Sequence, residues 1–168
     1  CNMICGNVIL DTNGEESELD YENVVMLGSN IAVGDLKQVA RLNRMCDMLG
    51  LDTISAGSVI GFAMECSEKK LVKDLSLPWG DFEGSQRLLE DMAHMRGHGA
   101  LFGMGVKSAA EKIGRGSMDF AMQVKGLELA MHEPRGKVGV GLGYATNEAG
   151  ADHLVGFHDP IFVNPESV

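Results

Sequence analysis

Leu49-Gly-Leu-Asp-Thr-Ile-Ser-Ala-Gly-Ser-Val-Ile-Gly-Phe-Ala-Met-Glu-Cys66 is the stretch that decides how the chain folds, because it joins two predicted helices. Glycine commonly follows the last turn of a helix and aspartate commonly caps the first, so one helix should end at Gly50 and the next begin after Asp52. The second helix opens with small residues, among them Ser55 and Ala56, which leave its first backbone N–H groups accessible to another backbone or to an anionic ligand. Asp52 is therefore predicted to cap this helix, either as a cap alone or as a cap that also faces a ligand.

Apolar residues recur at helical spacing along most of the chain, which predicts a mainly α, multihelical fold. The first helix lies between Gly34 and Gly50, and three more are predicted over about 53–70, 82–95 and 101–113. A short strand, a turn at Asn13-Gly14 and an acidic connector are expected before them, and a short extended piece is expected over 120–124.

Two domains are predicted from the way the pattern changes near the end of the chain. Residues 1–125 form a helical domain with the first two cysteines at its start, and residues 126–168 form the beginning of a second helical domain. Pro134 suits the first turn of a helix in that second part. The glycine-rich stretch 137–147 is expected to be helical only if it packs tightly against another body.

Composition and charge exclude several classes of partner. The net charge of −10 and the pI near 4.8 repel nucleic acid and anionic lipid, so neither is an expected partner. No apolar run approaches the ~20 residues that a membrane span needs. Cys46 and Cys66 lie in apolar helical surroundings, which favours a reduced, cytoplasmic protein. The chain begins with Cys1, so we expect it to be a piece of a longer polypeptide.

Two pairs of residues have the chemistry of a functional site. Cys1 and Cys5 have the spacing of the last two cysteines in a C-x2-C-x3-C run, which can hold an iron–sulfur cluster, although spacing alone favours two ordinary thiols. Glu22 and His153 are a carboxylate and an imidazole that could transfer a proton at neutral pH. Taken singly, Glu22 reads as a surface acid and His153 as a structural histidine.

Together, the motifs in their order resemble one known family, the aldehyde:ferredoxin oxidoreductases, which are tungsten-pterin enzymes. The motifs that carry the resemblance run almost end to end: Cys1-x-x-x-Cys5-Gly, Asp20-Tyr-Glu-Asn-Val-Val-Met-Leu-Gly-Ser-Asn30, Asn43-Arg-Met-Cys-Asp-Met-Leu-Gly-Leu-Asp-Thr-Ile-Ser-Ala-Gly57, Val59-Ile-Gly-Phe-Ala-Met-Glu65, Pro78-Trp-Gly-Asp81, Gly105-Val-Lys-Ser-Ala-Ala110, Val124-Lys-Gly-Leu-Glu-Leu129, Glu133-Pro-Arg-Gly136, Tyr144-Ala-Thr146 and Gly150-Ala-Asp-His-Leu154.

The resemblance implies a role for each candidate residue. The chain would cover most of the family's second domain and the beginning of its third, both largely helical. Cys1 and Cys5 would supply two of the four thiolates of a 4Fe–4S cluster. The segment from Asp52, with Ser55 and Ala56, would contact the pterin. Glu22 is similar to the acid near the metal that helps to activate water, and His153 is similar to the histidine that orients substrate or relays a proton.

The implied reaction oxidises an aldehyde with water to a carboxylic acid and passes electrons through the cluster to ferredoxin. The cofactors would be a tungsten-bis(pterin), with molybdenum as the alternative metal, and the 4Fe–4S cluster. The remaining N-terminal and C-terminal parts of the polypeptide and a second copy of the chain are the other expected partners. Two alternatives stay open: the tungsten subunit of a class II benzoyl-coenzyme A reductase type of complex, and a helical interaction domain without catalysis.

Overall fold

Helices dominate the computed structural model, which describes residues 6–156 and 159. The predicted mainly α fold class is therefore confirmed. In chain order, the elements are β1 (Asn7–Leu10), β2 (Glu16–Leu19), α1 (Tyr21–Met26), a 3-10 turn (Ser29–Ile31), α2 (Leu36–Leu49), α3 (Thr53–Glu68), α4 (Phe82–Ala93), α5 (Gly99–Phe102), α6 (Val106–Ile113), a second 3-10 turn (Ser117–Phe120), β3 (Gln123–Val124), β4 (Leu127–Glu128) and α7 (Val138–Thr146).

The junction between α2 and α3 has the geometry expected from the sequence. Gly50 follows α2 with φ of 70°, a left-handed conformation that glycine adopts without steric cost. Asp52 precedes α3, and its Oδ2 accepts a hydrogen bond from the backbone N–H of Ser55 at 2.7 Å. The caps therefore fix where one helix stops and the other starts. The helix predicted to reach residue 70 ends at Glu68, two residues earlier.

The fourth predicted helix, over 101–113, is wrong because it is divided between α5 and α6. Gly105 has φ of 87° and ψ of 163°, which is not helical, so the chain turns between the two pieces. The other glycine at the break, Gly103, faces backbone oxygen and leaves no room for a side chain. The two glycines therefore interrupt the helix at this point.

The acidic connector predicted after Asn13-Gly14 is also wrong, since Glu16–Leu19 forms β2 and pairs antiparallel with β1. Asp11 in the connecting turn is buried. Although burial alone would raise the pKa of this carboxyl group, the backbone N–H groups of Glu15 and Asn13 and the Arg41 guanidinium together lower it. Arg41 and Arg44 of α2 lie 3.5 and 2.7 Å from the carboxylates of Asp11 and Glu15, so this helix compensates part of the hairpin's negative charge.

The core is organised around α3, which is buried on most of its surface. A helix that is apolar all round belongs in the interior, and α1, α2, α4 and α6 all contact this one. Cys46 and Cys66 are free thiols in this core, and burial raises the pKa of Cys46 to about 12. In the part of the chain that the structure describes, no helix has the length and apolar content to cross a membrane.

A small hairpin, β3–β4, replaces the single extended piece expected over 120–124. Lys125 and Gly126 both have positive φ, 56° and 96°, as a tight two-residue hairpin turn requires. The hairpin places the buried Glu128 between two helices: its Oε2 accepts from the Ser55 hydroxyl at 2.9 Å, and its Oε1 accepts from Val106 N at 2.8 Å. The domain boundary placed between residues 125 and 126 stays a prediction.

Gly57 allows α3 to lie directly against α1. A Cβ at this position would be 2.6 Å from the carbonyl oxygen of Met26, which is backbone and cannot rotate away. We expect Gly57→Ala to lower the free energy of unfolding by about 1–3 kcal/mol, measured from the denaturant midpoint of the complete polypeptide. Gly143→Ala is the matched control, because it is also a helical glycine but its Cβ would meet only Val155 at an ordinary 3.8 Å. That control should be neutral or stabilising, and equal losses for both variants would contradict the close-approach explanation.

Glu128 acts as a polar bridge from β4 to the starts of α3 and α6. Glu128→Ala should destabilise the protein by about 1–3 kcal/mol for each buried donor left without an acceptor, as measured by chemical denaturation. Glu111→Ala, an exposed acid on α6, should change stability by no more than about 0.5 kcal/mol. Equal effects of the two substitutions would show that the hydrogen bonds of Glu128 contribute nothing to the free energy of unfolding.

Candidate functional site

Glu22 lies in the first turn of α1, which Asp20 caps by accepting a hydrogen bond from Asn23 N at 3.0 Å. Its side chain is only 12% exposed, so it is not the surface acid that its residue type suggests. Oε2 accepts a hydrogen bond from Met131 N at 3.0 Å, and Oε1 lies 2.8 Å from Nε2 of His132. One distant segment therefore contacts both carboxylate oxygens, Oε2 through a hydrogen bond and Oε1 through the close approach of the His132 ring.

His132 is at the centre of this arrangement. Its ring lies between the rings of Tyr21 and His153, with centroid distances of 5.6 and 5.2 Å and interplanar angles of 27° and 30°. The Lys137 ammonium lies 2.9 Å from its Nδ1. Both ring nitrogens therefore face a charged side chain, with the anion on one edge and the cation on the other.

The two predicted catalytic residues, Glu22 and His153, come together through His132. One side-chain ligand atom from each of these three residues lies within 4.8 Å of the other two. Sequence reasoning missed His132, although it directly precedes the Glu133-Pro-Arg-Gly136 motif. The position of this histidine, next to a motif that carries the family resemblance, was the signal that could have identified it. What the sequence could not give was the contact itself.

Distance alone would allow these three side chains to hold a divalent cation. Lys137 argues against one, because its ammonium already places a positive charge 2.9 Å from the His132 ring. A second cation at the same ring would be repelled at short range in a site largely shielded from water. The arrangement is better suited to holding and moving protons than to ligating a metal directly.

Tyr144 of α7 contacts the backbone of this cluster. Its hydroxyl donates a long hydrogen bond of 3.5 Å to the carbonyl oxygen of His132. Burial, together with the negative charges of Glu22 and Asp152, raises the pKa of Tyr144 to about 12. The phenol therefore stays protonated at neutral pH and can only donate to that carbonyl.

Two cavities adjoin the segment 129–132, and Ala130 lines both. One has a volume of about 290 Å³ and is lined by Asp52, Ser55 and His153 among others. The other has a volume of about 280 Å³ and is mainly apolar; its lining includes Phe62, Trp79, Phe120, Met122, Leu129 and His132. The start of α3 and the cluster around His132 therefore share one region.

The predicted pterin contacts Asp52, Ser55 and Ala56 occupy three different environments. Asp52 is exposed, and one of its carboxylate oxygens accepts the capping hydrogen bond from Ser55 N. The Ser55 hydroxyl donates a hydrogen bond to Glu128. Ala56 is buried in the core with its N–H bonded to Asp52 O. Asp52 is thus the best placed of the three to face a ligand, and the pterin contacts stay a prediction.

The predicted cluster ligands Cys1 and Cys5 lie outside the described residues. Cys46 and Cys66, which the structure does describe, are buried in the core and were not predicted to be ligands. Iron–sulfur ligation by Cys1 and Cys5 therefore stays a prediction.

Comparison with known proteins places these features in a family. A family profile described as "Aldehyde ferredoxin oxidoreductase, domains 2 & 3" matches residues 1–165. A tungsten-containing aldehyde ferredoxin oxidoreductase of Pyrococcus furiosus is 39% identical over 99% of this chain, and one of Thermococcus kodakarensis is 36% identical over 99%. The chain covers 28% of each of these two relatives. The WOR-like subunit of an aliphatic sulfonate oxidoreductase of P. furiosus is 31% identical over 80% of the chain and is covered to 23%.

Among solved structures, the active site complex BamBC of benzoyl coenzyme A reductase with 1,5-dienoyl-CoA superposes with a TM-score of 0.69 at 29% identity. The match covers 88% of this chain and 23% of that one. The profile spans nearly every residue, and the helical architecture agrees with it. The chain therefore belongs to the aldehyde ferredoxin oxidoreductase family, and its match lies within the region described as domains 2 and 3.

Proposed function

We propose that this chain is the part of a tungsten-pterin, iron–sulfur oxidoreductase that supplies acid–base residues for oxidising an aldehyde to a carboxylic acid, with ferredoxin as electron acceptor. The observation that carries the proposal is the largely buried Glu22 carboxylate facing His132 and His153. A carboxylate and an imidazole held together away from water can take a proton from an attacking water and pass it on.

The residues of the start of α3 are compatible with the cofactor that the family implies. Asp52 is exposed beside a cavity that His153 also lines, so it could accept hydrogen bonds from a pterin. When bound, the tungsten-pterin would supply the two-electron redox chemistry. The chain's own contribution is to position water and substrate and to hold the proton at Glu22, while Cys1 and Cys5 would ligate the cluster through which electrons leave.

The apolar cavity beside His132 gives a place for the non-reacting part of a substrate. Its aromatic and thioether side chains would bind an apolar tail while the carbonyl group faces the polar cluster. His153 is placed to orient the carbonyl group of such a substrate, because its ring stacks on His132 and lines the other cavity.

A second candidate is the tungsten subunit of a reductase of the class II benzoyl-coenzyme A type. The superposition with the BamBC complex at a TM-score of 0.69 favours it, because one fold can support oxidation or reduction. The third candidate, an interaction domain without catalysis, would need neither the metal nor the buried acid.

Metal and activity measurements on the complete polypeptide, purified without oxygen, separate the three candidates. Stoichiometric tungsten and iron would exclude the interaction domain, and their absence would overturn the proposal. Reduction of a viologen dye that depends on added aldehyde would favour the oxidase. Tungsten without any aldehyde-dependent reduction would favour the reductase.

Glu22→Gln tests the acid–base role directly. The variant keeps the size of the side chain and one oxygen that accepts hydrogen bonds, but its amide cannot take up a proton. We therefore expect kcat to fall by at least about 100-fold, with tungsten and iron contents unchanged. Glu148→Gln, an exposed acid near α7, is the matched control and should turn over like the wild type. Normal turnover by Glu22→Gln would make Glu22 a structural acid and remove the proposed role.

A further inference from the structure

We infer that His132 and Lys137 are positioning residues for Glu22: Lys137 fixes the His132 imidazole as the neutral form protonated on Nε2, and that N–H in turn orients the Glu22 carboxylate. The inference rests on the proposed role of Glu22 and adds two residues to it.

The direction of the chain follows from donor chemistry. An ammonium group donates only, so the Lys137 Nζ that lies 2.9 Å from Nδ1 of His132 requires Nδ1 to accept. The proton of a neutral imidazole then sits on Nε2, which faces Glu22 Oε1 at 2.8 Å. The three groups therefore follow in the order Lys137 ammonium, neutral His132 imidazole and Glu22 carboxylate. A doubly protonated imidazole would place two positive charges in contact, which is unfavourable.

The Glu22 carboxylate depends on this ring for its second oxygen. Oε2 is satisfied by Met131 N at 3.0 Å, whereas Oε1 is buried and has no aligned hydrogen bond from any described residue. The Nε2 of His132 faces this oxygen at 2.8 Å, so the ring compensates the buried negative charge electrostatically and not through an aligned hydrogen bond. A buried carboxylate oxygen without a donor costs free energy, so loss of that N–H would favour another side-chain conformation of Glu22.

The same segment also contacts the side chain of Tyr21, the residue before Glu22. The Tyr21 hydroxyl donates to Met131 O at 3.0 Å, and the Tyr21 ring stacks on His132. Glu133, the next acid along the chain, forms an ion pair with the Arg135 guanidinium at 2.7 Å. The contacts between the first turn of α1 and residues 131–132 therefore restrict the position of the Glu22 carboxylate.

Stacking and hydrogen bonding by His132 can be separated experimentally. His132→Phe keeps an aromatic ring between Tyr21 and His153 but has no N–H, while His132→Gln loses the ring and keeps an amide N–H near the position of Nε2. Lys137→Met removes the cation from Nδ1 and keeps an extended side chain.

The measurement is kcat and KM for the complete enzyme with the aldehyde that gives the highest turnover. We expect His132→Phe to lower kcat by about 10- to 100-fold with little change in KM, because a misplaced general base slows the reaction more than it weakens substrate binding. His132→Gln should recover most of the lost kcat, and Lys137→Met should lower kcat by a smaller factor. Normal kcat in His132→Phe, or a loss in His132→Gln as large as in His132→Phe, would overturn the inference.

A readout that does not depend on turnover is the tautomer of His132, measured by NMR on enzyme labelled with 15N-histidine and assigned by the resonance that Lys137→Met shifts. An unprotonated Nδ1 and a protonated Nε2 at pH 7 are expected. A proton on Nδ1, or the absence of any histidine resonance shifted by Lys137→Met, would overturn the inference even if the variants fold poorly. If the enzyme oxidises no aldehyde but the tautomer is as expected, the proposed function fails and the polar chain stands.

Discussion

The contact between the Glu22 carboxylate and His132 is the constraint on which the candidate site depends. Both side chains are about nine-tenths shielded from water, at 12% and 9% exposure, so neither polar group can be left without a partner at low cost. The contact joins α1 to the segment between β4 and α7. A neighbouring hydrogen bond, from Met131 N to Glu22 Oε2, joins residues 109 positions apart in the chain. These two interactions place an acid from one end of the described chain beside the histidines from the other.

This contact requires α1 to be held close to the core, and α3 provides that support. Gly57 lets the backbone of α3 approach Met26 at the end of α1, and Gly61 similarly faces Asn30. Glu128 then links the start of α3 to β4, only a few residues before His132. The polar residues of the site thus lie at helix ends and in loops, while a buried helix fixes their relative positions.

Family membership does not by itself assign a reaction to this scaffold. The relatives include aldehyde ferredoxin oxidoreductases, a sulfonate oxidoreductase subunit and a benzoyl coenzyme A reductase complex. The chain covers less than a third of each, so the activities in their names describe proteins much longer than this chain. Within this chain, the features that could distinguish reactions are the acid–base cluster around His132 and the linings of the two cavities beside it.

The sequence alone determined the local features of this protein. Hydrophobic spacing and the pair of Gly50 and Asp52 predicted α2 and α3, and the order of motifs indicated the family, because caps and periodicity act over a few residues. The break between α5 and α6, the second strand of each hairpin and the burial of Glu22 were not predicted. They depend on what packs against those segments. The meeting of Glu22, His132 and His153 was decided only by the tertiary structure, since residues far apart in the chain become neighbours through the packing of α1 and the 129–132 segment around α3, and no local pattern encodes that distance.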